Sequence, residues 1–130
     1  MAPAAMTTLV SHFKDTDTKP DDYDLILTGD LGKLGEEILI DLLEDKGYIL
    51  GINYCDCGQM IYRRKQAPLM GGSGCGCSAS IFNSYVLEKL KKLEYKKILY
   101  VATGALLSTT STQQGETIPG IAHAVVIENE

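Results

Sequence analysis

The sequence predicts an α/β protein: a mixed sheet with helices on its faces. Two short, almost continuous apolar runs, residues 23–28 and 97–102, are typical of strands covered on both faces. Between and before them lie longer segments with apolar residues at helical spacing. Hydrophobic residues make up 45% of the 130 residues, which is enough for a real core.

Three helices are predicted in order. Residues 3–14 place Met6, Leu9, Val10 and Phe13 at i, i+3, i+4 and i+7, on one stripe. The second helix follows the turn at residues 29–32 and runs to about residue 46, where Gly47 is a natural stop. The third begins near Ser78.

The third strand is predicted over residues 122–127, and it should pair with residues 97–102 as a hairpin-like edge, because no helix separates them. Residues 48–74 have weak periodicity, and residues 59–62 fit either a short strand or a turn of helix. Three strands are few for three helices, and no strand precedes the first helix. We therefore expect a fragment whose sheet is completed by other residues.

Charge and composition exclude several classes of function. The formal net charge is −5, which argues against a nucleic-acid partner, and the cationic residues 63–65 are interpreted as a solvated loop. No apolar run approaches the roughly 20 residues that span a bilayer, and the start lacks the features of a signal peptide. We expect a cytoplasmic protein whose four cysteines are thiols.

Residues 29–35, GDLGKLG, lie between a strand and a helix, where phosphate-binding turns occur. The glycine spacing differs from the dinucleotide fingerprint, and Asp30 would repel a phosphate. A tight structural turn is therefore the favoured interpretation. Two C-x-C pairs, Cys55 with Cys57 and Cys75 with Cys77, leave zinc binding open, but buried or partly buried free thiols are favoured.

The glycine-rich residues 71–78, GGSGCGCS, run directly into the third predicted helix. Unpaired N–H groups and the positive end of the helix dipole attract carboxylates, and glycines allow a close approach. A cysteine here should have a lowered pKa and some reactivity. The alternative is a close packing turn. His12 is expected to be solvated, and His123 to precede the last strand as a structural residue.

Five strings across the chain resemble the stage V sporulation protein AD (SpoVAD) family, in the family's order. They are MAPAA (1–5), TGDLGKLG (28–35), GGSGCGCSAS (71–80), VATGALLS (101–108) and QQGETIPGIAHAV (113–125). Family members are much longer than this chain. The resemblance implies that residues 1–130 are the C-terminal part of a thiolase-like domain, a layered α/β half-fold.

The resemblance also implies a function. SpoVAD-like proteins bind dipicolinic acid and help to move it, with calcium, into the developing spore. They work with membrane proteins of the same operon, in the forespore cytoplasm at the inner spore membrane. Thiolase-fold proteins are typically dimers, so a homodimer is expected. No cofactor and no resident metal are implied.

Condensing enzymes of the thiolase fold carry a histidine and an asparagine in the second half. By alignment these positions fall near Gly29 and Cys75, so both catalytic groups are missing and no catalytic residue is assigned. We expect a binding protein whose ligand contacts Gly74, Cys75 and Gly76, with Asp30 nearby. Asp30 beside a dianion requires protonation or a calcium bridge. The alternative is an acyltransferase that uses Cys75 or Cys77 as nucleophile.

Overall fold

A mixed four-stranded sheet forms the centre of the protein in the computed structural model, which describes residues 1–63, 66, 71, 75–105 and 108–129. The strand order is β2-β1-β3-β4. The strands are β1 (Leu25–Thr28), β2 (Tyr54–Asp56), β3 (Lys97–Ala105) and β4 (Gly120–Glu128). The predicted α/β class, with helices on the faces of a mixed sheet, is therefore confirmed.

Strand β1 is parallel to both β2 and β3, whereas β3 and β4 pair antiparallel from Lys97 opposite Glu128 to Ala105 opposite Gly120. The predicted hairpin-like pairing is thus confirmed, but the expectation that no helix separates the two strands was wrong, because a short helix (Thr109–Gln113) lies in their connection. The predicted number of three strands was wrong, because β2 is only three residues long and carries no alternating pattern. His123 lies within β4, opposite Ala102. This agrees with the strand predicted over residues 122–127, whereas the expectation that His123 precedes the strand was wrong.

Helices α1 (Ala2–Thr16) and α2 (Gly32–Glu44) cover one face of the sheet. The apolar stripe predicted for α1 is confirmed, because Leu9 and Phe13 are buried and pack in one cluster with Ile26 of β1. Burying side chains of this size is the main stabilising term for such a layer. A short 3₁₀ turn, Pro20–Asp22, then leads into β1.

The opposite face is covered by one irregular helical run. It consists of α4 (Cys77–Ile81), a π-helical segment (Phe82–Val86) and α5 (Leu87–Lys91), and it buries Val86 and Leu90 against the sheet. The predicted third helix is confirmed, but its central residues, Phe82–Val86, form a π-helix, which is wider than an α-helix. Asn83 Nδ2 donates to the carbonyl of Ala79, and Ser84 Oγ to that of Ser80, which favours departure from the regular helical ladder.

Two short helices, α3 (Cys57–Met60) and α6 (Thr109–Gln113), complete the described elements. Residues 59–60 are therefore helical, which resolves the two alternatives left open for residues 59–62. Helix α2 ends two residues earlier than predicted. Gly47 then adopts φ 84°, and its N–H donates to the carbonyl of Glu44 at 2.9 Å. The predicted glycine stop is thus confirmed.

Candidate functional site

The carboxyl ends of β1 and β2 meet at a turn that Asp56 closes. The Asp56 carboxylate accepts hydrogen bonds from the Thr28 hydroxyl at 2.6 Å and from the backbone N–H groups of Leu31 and Gly32, each at 2.9 Å. It is only 1% exposed. The start of α2, where a phosphate would bind, is therefore occupied by the protein's own carboxylate.

A buried hydroxyl chain supports this carboxylate. The single hydroxyl proton of Thr28 goes to Asp56, so the Tyr54 hydroxyl, 3.0 Å away, donates to Thr28. Burial raises the pKa of Tyr54 above its usual value, which keeps the phenol protonated and able to donate. The turn at residues 29–32 is therefore a structural strand-to-helix turn and not a phosphate-binding one, as its glycine spacing indicated.

Asp30 lies at the same turn, half-buried, and two glycine backbones approach its carboxylate. Its own N–H donates to Thr103 Oγ1 at 2.9 Å. A Cβ atom on Gly58 would fall 2.0 Å from Asp30 Oδ1, and a Cβ atom on Gly71 would fall 2.6 Å from the same oxygen. Gly71 also has φ 82°. Glycine is therefore required there both by the lack of space for a Cβ atom and by the backbone conformation.

The two aspartates make this end of the sheet acidic. The position of a Cβ atom on Gly58 lies 2.0 Å from an oxygen of Asp30 and 2.8 Å from an oxygen of Asp56, so both carboxylates reach one point. Glu36 of α2 is half-buried nearby, and its pKa is raised by burial and then by the charge of Asp56. A ligand placed here meets negative charge.

The buried thiols beside the aspartates are held protonated. Burial, together with the charges of Asp30 and Asp56, raises the pKa of Cys77 to about 11. Burial and the Asp56 charge are the largest causes that raise the pKa of Cys57 to about 12. The expectation of a lowered pKa at this helix start was wrong for Cys77, because burial and two carboxylates outweigh a helix terminus.

The predicted site residues fall into two groups. Asp30 lies against Gly71, and its charge acts on Cys77, so the structure brings it to the same end of the sheet as the start of α4. Cys75 and Gly76 are exposed and immediately precede α4. Gly74 lies outside the described residues. A ligand that contacts these residues stays a prediction.

The two histidines lie apart from these groups. His12 is half-buried on α1, and its Nε2 is 2.6 Å from the Tyr23 hydroxyl, so the expectation of a solvated side chain was wrong. Burial, and next the charge of Lys97, lowers the pKa of His12. His123 is exposed on the edge strand. Among the described residues, neither imidazole makes a hydrogen bond to a thiol, so no nucleophile–base pair is formed there.

The four cysteines are free thiols: Cys57 and Cys77 are buried, Cys55 is half-buried and Cys75 is exposed. In the part of the chain that the structure describes, no three histidine, cysteine or acidic side chains converge closely enough to hold a metal ion. The tetrahedral zinc alternative therefore finds no support. Asp56 was missed by the sequence reasoning, which saw only the flanking cysteines. The available signal was an acidic residue placed directly between two cysteines, and the structure makes it the last residue of β2.

The fold and the site define an α/β protein whose sheet ends in buried carboxylates and protonated thiols. Comparison with known sequences gives the family. The chain belongs to the stage V sporulation protein AD (SpoVAD) family, whose sequence profile matches residues 1–128. It is 51% identical over 128 residues to the stage V sporulation protein AD of Bacillus subtilis (strain 168).

That alignment covers 98% of this chain and 38% of the Bacillus protein, so the chain spans well under half the length of the curated relative it matches. The family resemblance inferred from the five strings is confirmed. In the described residues, no helix has both the length and the apolar composition needed to cross a membrane.

Proposed function

We propose that this chain is part of a sporulation protein that binds dipicolinic acid without chemical reaction and supports its uptake into the developing spore. The absence of reaction is supported by the buried position of the Cys77 thiol, which burial and two nearby carboxylates keep protonated. Cys77, at the start of α4, has a pKa of about 11 and no imidazole partner among the described residues. Binding is therefore better supported than acyl transfer.

The acidic character of the site bears on the form of the ligand. Dipicolinate is a dianion, and Asp30 and Asp56 would repel it if it arrived alone. A calcium chelate brings a compensating charge, and calcium prefers carboxylate and other oxygen ligands. We therefore propose that the calcium chelate is bound beside Asp30, with Gly74, Cys75 and Gly76 against the ring.

The remaining expectations from the family are proposals of the same kind. The sheet with helices on both faces is compatible with a thiolase-like half-fold, which the rest of a longer chain would complete. Such proteins form dimers, and a homodimer is proposed here. The proposed partners are the membrane proteins of the same operon, at the inner membrane of the forespore.

Calorimetry on a full-length family protein tests the binding proposal. Titration of the protein with calcium dipicolinate should give a heat signal that saturates. Cys75→Trp, which places a large ring at the start of α4, should weaken binding at least tenfold. Lys91→Trp is the matched control, because Lys91 is exposed at the far end of the same helical run. Unchanged affinity in the Cys75 variant would remove these residues from the site.

Acyl transfer by a cysteine is the second candidate, and the exposure of Cys75 is the observation that favours it. An acyl thioester donor incubated with the protein would leave an acyl group on Cys75, detectable by mass spectrometry of the digested chain. We expect no acyl adduct on any cysteine, since the proposed role is binding. An adduct that forms on Cys75 and turns over would replace the binding proposal with catalysis.

A further inference from the structure

Strand β3 extends beyond the end of β1, at the edge of the sheet where the candidate site lies. The last pair between the two strands joins Thr28 to Val101, so in the same register Thr103 lies opposite Asp30. There the Asp30 N–H donates to the side-chain Oγ1 of Thr103 at 2.9 Å. The Thr103 hydroxyl therefore continues the connection between β1 and β3 by one side-chain bond.

The turn lies directly against β3 at this point. A Cβ atom on Gly29 would fall 2.8 Å from the backbone nitrogen of Thr103 and 2.8 Å from its Oγ1. No side chain fits there unless the β3 backbone moves, so glycine permits the close approach. The hydrogen bond from Asp30 is thus part of a tight contact between the turn and Thr103.

The next two amides of the turn are also held by a side chain. The N–H groups of Leu31 and Gly32 donate to the carboxylate of Asp56. Three consecutive amides, those of residues 30–32, are therefore fixed by side-chain oxygens from two strands. Asp56 of β2 holds the start of α2, whereas Thr103 of β3 holds the residue that carries the proposed ligand contact.

The side chain of Asp30 is confined as closely as its amide. Cβ atoms on Gly58 and Gly71 would fall 2.0 and 2.6 Å from Asp30 Oδ1, so both glycine backbones enclose this oxygen. With its amide held by Thr103, the carboxylate has little freedom of orientation. A group that is fixed before the ligand arrives loses less conformational entropy on binding.

We propose that Thr103 is a positioning residue for calcium dipicolinate, a role that rests on the proposed function of this site. The Thr103 hydroxyl does not touch the ligand. It fixes the backbone of Asp30, so that the carboxylate meets the calcium ion of the chelate. Hydrogen-bond partners that orient a metal-binding side chain in this way typically contribute about 10- to 100-fold to metal affinity.

Calorimetry of a full-length family protein with calcium dipicolinate tests the proposal. Thr103→Val keeps the shape of the side chain but removes the acceptor, so binding should weaken about tenfold. Thr103→Ser keeps the hydroxyl and should restore the affinity. Thr8→Val is the matched control, because Thr8 Oγ1 also makes one bond to the backbone, to the carbonyl of Ala122 at 2.7 Å. Thr8→Val and Thr103→Val should each lower the melting temperature by roughly 2 °C, but Thr8→Val should leave the affinity unchanged.

A double-mutant cycle separates positioning from a general structural effect. If Thr103 acts through Asp30, Thr103→Val should weaken binding no further in an Asp30→Asn background. Full affinity of Thr103→Val, the same loss in the Asp30→Asn background, or an equal loss in Thr8→Val would overturn the proposal and leave the proposed function standing. Full binding by Asp30→Asn would remove Asp30 from the site and this role with it. A lack of saturable binding by the unchanged protein would overturn the proposed function itself.

Discussion

Replacing Asp56 with alanine removes the carboxylate that joins the ends of β1 and β2 to the start of α2. Three donors lose their acceptor: the Thr28 hydroxyl and the N–H groups of Leu31 and Gly32. All three lie where water is excluded, and a lost hydrogen bond of this kind costs about 1 kcal/mol net. We expect a loss of about 3 kcal/mol in the free energy of unfolding, a large part of the stability of a small domain.

Urea unfolding followed by circular dichroism measures this loss. With a slope near 1.5 kcal/mol per molar urea, the midpoint should fall by about 2 M. Asp41→Ala is the matched control, because Asp41 is exposed on the outer side of the same helix. A midpoint for Asp56→Ala within about 0.5 M of the control would refute the assignment of Asp56 as the anchor of this turn.

Three further predictions concern other positions. Gly58→Ala places a Cβ atom 2.0 Å from a carboxylate oxygen and should destabilise by about 2 kcal/mol in urea unfolding; Gly76→Ala, which meets nothing within 4 Å, should be neutral. Because the pKa of His12 is lowered in the fold, its contribution to stability is present above about pH 6.5 and is lost as the pH falls through the folded pKa. His12→Gln should flatten that part of the melting-temperature profile. Iodoacetamide at pH 7.5 should alkylate Cys77 at least tenfold more slowly than Cys75 in timed mass spectrometry, and equal rates would refute the protonated, buried thiol.

Elements with a long periodic signal were predicted correctly from the sequence. Helix α1 shows a stripe of four apolar residues, and Leu9 and Phe13 are indeed buried. Strands β1 and β3 are apolar runs because each is covered on both faces. The antiparallel pairing of β3 and β4 was predicted because no helix was expected between them. The connection does contain one, α6, but its five residues are too few for the crossover that a parallel pair needs.

Strand β2 was missed because its existence depends on contacts distant in sequence. Only three residues pair with β1, and the strand is secured by Asp56 at its end rather than by an apolar pattern. The π-helical segment was missed for a similar reason. In this segment the side chains of Asn83 and Ser84 donate hydrogen bonds to carbonyls four residues earlier. Hydrophobic periodicity does not reveal such bonds.

At the candidate site, the sequence reasoning placed Asp30 near the start of the third helix but predicted the wrong electrostatics there. It brought together Asp30 and the start of the third helix, which the structure also does. It attributed a lowered pKa to a cysteine there from the helix dipole alone. The burial of Cys77 and the charges of two carboxylates reverse that effect, and both arise only when the chain is folded.

Hydrogen–deuterium exchange of a full-length family protein, with and without calcium dipicolinate, tests the proposed ligand site most directly. Saturating ligand should slow exchange in peptides that cover residues 29–32 and 75–81, and should leave the residues of α6 unchanged. Protection confined to other parts of the protein, or none at a ligand concentration that saturates binding, would contradict the location of the site.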